Sequence, residues 1–264
     1  MQFGIPTLIE HESLAETAAL CREFGFRFVE LNMNMPQYQL EAMDAVKMKE
    51  IAQEYGIGYT LHLDENLNVT DFNPAVAQSW RETVIKAIRF AQEMEIPVLN
   101  MHLNRGVYFT LPEKRVFLYE KYEESYMAGM LAFREECQRG IGQSGIHICV
   151  ENTDGYPEWQ MRALDRLLES PAFGLTYDVG HDHAAGRRDG ALIQARKNRL
   201  MHMHLHDARA NGENHLPLGS GEMDIRHCLD LAKTQNCRVV VETKTVQGLW
   251  RSARWLKENG YLVK

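Results

Sequence analysis

The sequence predicts an α/β protein with a (β/α)8 barrel as a single domain over residues 1–264. Eight short apolar runs alternate with amphipathic stretches, and no linker rich in Pro, Gly or Ser divides the chain. Most of these runs end in a carboxylate or a histidine. Because side chains alternate between the two faces of a strand, a polar residue that closes an apolar run lies at the rim. The rim at the strand C-termini is where the catalytic groups of parallel barrels gather.

Length and composition agree with this architecture. Of the 264 residues, 45% are hydrophobic and 25% are charged, which is ordinary for a globular protein. A barrel needs about 250 residues, so the chain suits one barrel. The competing architecture is an open doubly wound sheet, which binds its ligand at one switch point. No GxGxxG motif follows the first apolar run, so the barrel is favoured.

The apolar runs give the predicted strands in chain order. These lie near residues 2–7, 27–32, 58–63, 96–103, 146–152, 173–178, 200–206 and 238–243. The first helix is predicted by a capping box, in which Glu16 follows Ser13 by three residues, and by Gly25 as its stop signal. Another helix begins at Pro74, after which apolar residues recur at spacings of three and four.

The segment 112–142 is predicted to be the longest helical segment. It carries four aromatic residues whose spacing suggests a surface on which a substrate stacks: Phe117, Tyr119, Tyr122 and Tyr126. An aromatic stripe at helical spacing is more often core or a subunit contact, so no binding role is assigned to it.

Charge and cysteine content limit the partners and the compartment. The formal net charge is -7, with 36 acidic and 29 basic residues, which disfavours nucleic acid as a partner. The five cysteines form no CxxC pair, and no apolar run approaches the ~20 residues of a membrane span. The opening MQFGIPTLIE lacks the segments of a signal peptide. We therefore expect a cytoplasmic protein with no membrane partner, and the oligomeric state, including a homo-oligomer, stays open.

Six apolar runs carry a carboxylate or histidine where the strand reaches the rim. These residues are His62, His102, Glu151, Asp178, His204 and Glu242. The last four belong to the last four strands, so a barrel places them side by side. Three unpaired carboxylates would raise each other's pKa by repulsion, and a divalent cation removes that penalty. The set predicts a metal site in which oxygen ligands suit Mn²⁺ or Mg²⁺, with Zn²⁺ or Co²⁺ allowed.

The motifs at these strand ends resemble those of the xylose isomerase-like TIM barrels. That superfamily includes sugar and sugar-phosphate isomerases and epimerases, and also endonuclease IV of AP endonuclease family 2. The motifs are VEN at Glu151, YDVGH from Asp178 to His181, HLHD at His204, HLPLGSGEMD from His215 and VVVETK at Glu242. The resemblance covers essentially the whole chain, and it is far more specific for the superfamily than for one reaction.

The resemblance implies a metal-dependent isomerase or epimerase that acts on a small carbohydrate. Glu151, Asp178, His204 and Glu242 are similar to the single-metal ligand set of the ketose epimerases. In those enzymes the two glutamates are also catalytic, so Glu151 and Glu242 are expected to remove and return the proton next to the carbonyl. A cation stabilises the resulting enediolate charge, and a nearby carboxylate serves as base. A dehydratase using the same chemistry also stays open.

Further contacts to metal or substrate are implied around this set. His181 and His215 are similar to the family's substrate-oxygen contacts, and His62 and His102 are expected on the far side of the pocket. Four other residues are expected to touch the substrate: Glu30, His206, Arg209 and Lys244.

The seventh strand carries three histidines of the same inward parity. His202, His204 and His206 alternate, but only one depth in the barrel matches the metal. On the family pattern His204 has that depth, which leaves His202 as a hydrogen-bonded interior residue. His183, within GHDHAAG, is predicted to lie in a solvated loop.

The same residues also resemble endonuclease IV, which uses three zinc ions to cleave abasic DNA. Positions similar to its ligands are His62, His102, Glu151, Asp178, His181, His204, His215 and Glu242. The departure is Glu213, where the nuclease pattern has an aspartate, although a glutamate can still ligate. The acidic net charge and the lack of a basic run weigh against DNA, whereas Arg187, Arg188 and Arg209 suit a phosphorylated sugar equally well. The nuclease is kept as the alternative, and a catalytically silent sugar-binding barrel is the third hypothesis.

Overall fold

Eight parallel strands close into a barrel, which confirms the predicted fold. The computed structural model describes residues 1–262. The barrel strands are β1 (Gln2–Pro6), β2 (Phe28–Asn32), β3 (Gly58–His62), β4 (Val98–His102), β7 (His147–Glu151), β8 (Phe173–Asp178), β9 (Leu200–Leu205) and β10 (Arg238–Val241). Neighbours around the barrel follow chain order, and β10 pairs with β1 to close it.

Helices surround the barrel and connect its strands. They are α1 (Leu14–Glu23), α2 (Ala45–Tyr55), α3 (Pro74–Met94), α4 (Leu118–Lys121), α5 (Glu123–Ile141), α6 (Glu158–Leu168), α7 (Val179–Ala184), α8 (Gly190–Ala195), α9 (Ile225–Thr234) and α10 (Val246–Glu258). As predicted, Ser13 caps α1 by accepting from the Glu16 backbone N–H at 3.3 Å, and α3 begins at Pro74. Within residues 1–262, no helix combines the length and apolar character that a membrane crossing requires.

The predicted helical segment 112–142 is wrong in its first part. Residues Tyr108–Thr110 (β5) and Arg115–Phe117 (β6) form an antiparallel hairpin, and helix begins only at Leu118. The turn between the two strands contains Pro112, where the Leu111 N–H donates to the Lys114 carbonyl at 2.8 Å. The longest helix is α3, with 21 residues, rather than α5, with 19.

The aromatic residues that follow the hairpin are mainly core. Tyr119 and Tyr126 are buried and stack on each other with ring centroids 4.7 Å apart, and Trp159 of α6 meets the Tyr126 ring edge-on at 5.1 Å. This cluster packs α4, α5 and α6 against one another. Tyr122 differs, because half of its surface is exposed.

Replacing Trp159 with alanine is expected to lower the free energy of unfolding by about 3–5 kcal/mol, because the side chain is buried and leaves a cavity among aromatic rings. Urea denaturation followed by circular dichroism measures the change. The matched control is Phe109→Ala on the exposed hairpin, where a change within about 0.5 kcal/mol is expected. Equal losses in the two variants would contradict this assignment of the core.

Candidate metal centre

Three carboxylates and one histidine meet at the C-terminal end of the barrel. Glu151 and Asp178 are the last residues of β7 and β8, His204 is the penultimate residue of β9, and Glu242 directly follows β10. The strand register sets Asp178 beside His204, and Val240 of β10 beside His204 on the other side. One ligand atom from each of the four residues lies within 4.8 Å of the others. We call Glu151, Asp178, His204 and Glu242 the central cluster.

The imidazole of His204 is the geometric centre of this cluster. Its Nδ1 lies 3.0 Å from Glu151 Oε1, 3.2 Å from Glu242 Oε2 and 4.0 Å from Asp178 Oδ2. All four side chains are buried, and within residues 1–262 neither ring nitrogen of His204 has a well-aligned hydrogen bond. Buried carboxylates and an unpartnered imidazole nitrogen that converge on one point are a donor set that fits a divalent cation.

Electrostatics keep both glutamates of the cluster ionised. Burial raises the pKa of Glu151, but His204 and His102 outweigh burial and hold it well below its usual range. Burial likewise raises the pKa of Glu242, and His204 and Lys244 outweigh it in the same way. Ionised carboxylates can ligate a cation or accept a proton, so the cluster is prepared for either role.

The two glutamates share one feature of local geometry. Each directs one carboxylate oxygen toward His204 and gives the other oxygen to a separate donor. The second oxygen of Glu242 is bonded by the Lys244 ammonium at 2.5 Å, and that of Glu151 lies 3.0 Å from His102 Nε2 and is bonded by Asn100. Each carboxylate is therefore anchored on one side and directed toward the cluster on the other.

His62 and His102 form a second group with the outer oxygen of Glu151. The Nε2 atoms of His62 and His102 lie 3.4 and 3.0 Å from Glu151 Oε2. Asn100 lies beneath this group, where its side-chain Oδ1 accepts from the Thr176 hydroxyl at 2.5 Å. Sequence reasoning missed Asn100, although its position two residues before His102 gives it the same inward parity.

His181, His206 and His215 form a third group beside Asp178. His181 Nε2 and His215 Nε2 are 3.2 Å apart. Burial lowers the pKa of His215 to about 4, and the neighbouring His206 adds to this effect. His215 is therefore neutral near pH 7, so it can bond a substrate oxygen or a metal ion without first losing a proton.

His206, which was expected to touch substrate, lies beside Asp178 in the structure. Its side chain is fully buried, its Nδ1 accepts from the His215 backbone N–H at 2.7 Å, and its Nε2 lies 3.1 Å from Asp178 Oδ1. Because both nitrogens are engaged by the protein, His206 orients Asp178 and has no free atom for a sugar.

Glu30, also expected to touch substrate, is engaged by three other side chains. It is 2% exposed and lies under the central cluster. Its Oε1 lies 2.8 Å from His204 Nε2, while Oε2 bonds His202 Nε2 at 2.8 Å and accepts from the Thr60 hydroxyl at 2.9 Å. Glu30 therefore orients the central imidazole from behind. The prediction that His202 is a hydrogen-bonded interior residue is confirmed.

Two residues expected near metal or substrate lie outside all of these groups. Glu213 and Arg209 are exposed and pair with each other on the loop after β9, and Arg209 also donates to the Ser220 carbonyl at 2.9 Å. A glutamate already paired at the surface is not positioned to complete a third metal site. Lys244, in contrast, lies beside Glu242, where its ammonium donates to the carboxylate.

The prediction of a solvated loop for His183 is wrong. Asp178 caps a short helix, α7, by accepting from the His181 N–H at 2.7 Å, and this helix buries His183. Its Nε2 lies 3.0 Å from Glu222 Oε1, and its Nδ1 accepts from Arg187 Nε at 3.3 Å. The two glycines of the segment GHDHAAG suggested a loop. The chain instead forms a helix whose N-cap is Asp178, the last residue of β8.

The fold and the site together define a parallel barrel whose functional groups are acids and histidines at the strand C-termini. The model of the xylose isomerase-like TIM barrel family matches residues 18–259, so the chain belongs to that family. This confirms the family predicted from the strand-end motifs.

The relatives and structural neighbours include sugar epimerases. The chain is 22% identical over 239 residues to the L-ribulose-5-phosphate 3-epimerase UlaE of Shigella flexneri, covering 84% of this chain and 78% of the relative. It is 23% identical over 272 residues to the protein MJ1311 of Methanocaldococcus jannaschii, covering 98% and 89%. The fold matches a D-tagatose 3-epimerase-like protein with a TM-score of 0.80 at 23% identity, covering 99% and 97% of the two chains.

Proposed function

We propose that this protein is a divalent-metal-dependent isomerase or epimerase of a sugar or sugar phosphate. One observation carries the proposal: Glu151 and Glu242, both buried and ionised, each direct one carboxylate oxygen to the same imidazole of His204. Epimerisation needs one base to remove a proton next to a carbonyl and a second group to return it on the other face. Two anchored carboxylates at one centre meet that requirement.

The protein's own side chains supply the proton chemistry. In this proposal one carboxylate, Glu151 Oε1 or Glu242 Oε2, takes the proton from carbon, and the other delivers to the opposite face a proton that it has gained from solvent. Lys244 holds the outer oxygen of Glu242, and Asn100 holds that of Glu151. His181 and His215 bond substrate hydroxyls from the third group. Glu151, Asp178, His204 and Glu242 would hold a divalent cation, which supplies Lewis-acid stabilisation of the enediolate charge.

Relatives support the choice of reaction. The relative UlaE is named a 3-epimerase of a ketose phosphate, and the structural neighbour is named a D-tagatose 3-epimerase-like protein. Carbon 3 of such a ketose is adjacent to the carbonyl at carbon 2. A related reaction in this chain would exchange the hydrogen on that carbon with solvent. The substrate class is accordingly a small ketose or its phosphate.

The alternative, a trinuclear zinc phosphodiesterase, has one observation in its favour. The second and third groups place His62, His102, His181 and His215 around the central cluster, as a three-metal site requires. Two observations weigh against it: the surface pairing of Glu213 with Arg209, and the net charge of -7.

Elemental analysis of protein purified without chelator tests both functions. We expect close to one divalent ion per chain, loss of ketose epimerisation after treatment with EDTA, and recovery when Mn²⁺ or Co²⁺ is restored. Deuterium incorporation from D2O into a panel of ketopentoses and ketohexoses provides the activity measurement. Three zinc ions per chain together with cleavage of abasic DNA would replace the proposal with the nuclease.

A further inference from the structure

A small cleft lies at the same rim as the central cluster, between the loops that follow β4, β7 and β8. It encloses about 250 Å³, and its lining is Arg105, Phe117, Asp154, Gly155, Tyr156, Pro157 and Arg188. We propose that this rim cleft binds the phosphate group of a phosphorylated ketose, whose carbonyl end lies at the central cluster. The inference rests on the proposed function and specifies its substrate class.

Two arginines converge on one glycine in the rim cleft. Arg105 donates from Nη2 to the Gly155 carbonyl at 2.6 Å. The stem of Arg188 covers the other side of Gly155, with its Cδ 2.8 Å from the point where a Cβ would stand. Only a glycine allows this approach, and its φ of +100° also disfavours any other residue. The backbone thus brings two guanidinium groups to one cleft.

Arg188 is the arginine that is free to take an anion. Of the three arginines that the sequence offered for phosphate, Arg187 donates to His183 and Arg209 pairs with Glu213. Arg188 is exposed, and among residues 1–262 no carboxylate lies within 4 Å of its guanidinium nitrogens. A guanidinium binds phosphate oxygens in a bidentate manner, which makes it a stronger phosphate contact than an ammonium.

Asp154 keeps Arg105 in place while competing with an anion. Arg105 Nη1 donates to Asp154 Oδ2 at 3.2 Å, and the Asp154 side chain is 65% exposed. Among the side chains that line the rim cleft, two arginines face one aspartate, and the buried Asp189 lies behind the loop. A phosphate dianion can therefore bind, and removal of the aspartate should strengthen that binding.

The loops around the rim cleft are fixed before any ligand arrives. Buried Asp189 accepts from the Tyr156 N–H at 2.8 Å and from the Gly155 N–H at 3.0 Å. These bonds tie the loop after β7 to the loop that carries Arg188. A preorganised site loses less conformational entropy on binding, which favours a subsite over a chance pair of surface arginines.

Tyr156 links the rim cleft to the strand end that carries Glu151. Tyr156 lines the cleft, and its hydroxyl donates to the Glu151 carbonyl at 2.6 Å. Arg105 follows His102 by three residues, so at most about 11 Å of chain separates them. On this proposal the ketose extends from the central cluster toward the cleft, and its phosphate end meets the arginines.

The test compares ribulose 5-phosphate with ribulose by isothermal titration calorimetry on the metal-loaded protein. We expect the phosphate group to improve affinity at least 10-fold. In Arg188→Gln and Arg105→Gln that preference should fall by about 10- to 100-fold, as expected for a charge-assisted hydrogen bond. The matched control is Arg187→Gln, the same charge change one residue away, which should keep the preference. Asp154→Asn should increase it several-fold.

Inorganic phosphate provides a readout that does not depend on the reaction. It should compete with ribulose 5-phosphate in the wild type and lose this effect in Arg188→Gln. An equal affinity for the two ketoses, or a preference that survives Arg188→Gln, overturns the rim cleft as a phosphate subsite even if ketoses are epimerised. Conversely, a phosphate preference that depends on Arg188, without deuterium exchange into either ketose, supports the subsite and overturns the proposed reaction.

Discussion

Replacing Glu242 or Glu151 with glutamine is expected to lower the interconversion of ketose epimers by about 100- to 10,000-fold, the usual contribution of a general acid or base. An amide cannot take a proton from carbon, while its shape stays close to that of the carboxylate. Each variant should also leave one face of the ketose active, because the remaining glutamate still exchanges the proton on its own side. Deuterium from solvent should then enter one epimer only.

Metal loss alone would produce a different result, because exchange into both epimers would disappear together. The metal content of each variant is therefore measured at the Mn²⁺ concentration used in the assay. Glu213→Gln is the matched control, since it makes the same chemical change on an exposed side chain paired with Arg209. A metal-loaded Glu242→Gln protein that interconverts epimers at a rate within threefold of wild type would show that the proton-transfer role is wrong.

Replacing Glu30 with glutamine is expected to weaken divalent metal binding by about 10- to 100-fold, the usual effect of removing a group that orients a metal-binding histidine. Glu30 Oε1 lies 2.8 Å from His204 Nε2, on the side of the ring away from Glu151 and Glu242. The glutamine removes the charge that favours the metal-binding orientation and tautomer of the ring. Equilibrium dialysis against Mn²⁺ measures the affinity without a substrate.

Thr60→Val serves as the comparison for this variant, because it removes one hydrogen bond to Glu30 and leaves the carboxylate next to His204. We expect a much smaller loss of metal affinity there. Circular dichroism and thermal unfolding identify any variant that fails to fold. If folded Glu30→Gln binds Mn²⁺ as tightly as wild type does, Glu30 has no positioning role at the metal.

Much of the barrel and its rim could be predicted from the sequence because both follow from local rules. A short apolar run with period-two parity forms a strand, and a carboxylate at its end faces the rim. Glu151, Asp178 and Glu242 satisfy this rule within a few consecutive residues, and the structure brings them together around His204. Closure of the barrel supplies the remaining step, since it leads all strand ends to one face.

Two elements, the hairpin of β5 and β6 and the helix α7, were not predicted because their local sequences fit more than one conformation. The hairpin of β5 and β6 lies at the start of a segment rich in helix-forming residues, and each of its strands has only three residues. The helix that buries His183 directly follows Asp178, contains Gly180 and is followed by Gly186, a composition shared with loops. The hairpin is held by pairing between its two strands, since the residues of β5 are exposed. The helix is held by its Asp178 cap and by burial of Val179 and His183. These interactions overrode the preference of each segment alone.

The depth of each inward-facing side chain in the barrel, and the side chain it contacts, depend on the tertiary structure alone. Glu30 and His206 have the same inward parity as the residues of the central cluster. Glu30 nevertheless contacts His202, which is 172 positions away in sequence, and His206 contacts Asp178. Arg187 and Arg188 are adjacent, but only Arg188 reaches the rim cleft. The sequence by itself determined which residues face the rim, because parity is a property of one strand. Their partners depend on the stagger between strands and on the closure of the barrel, which no local pattern encodes.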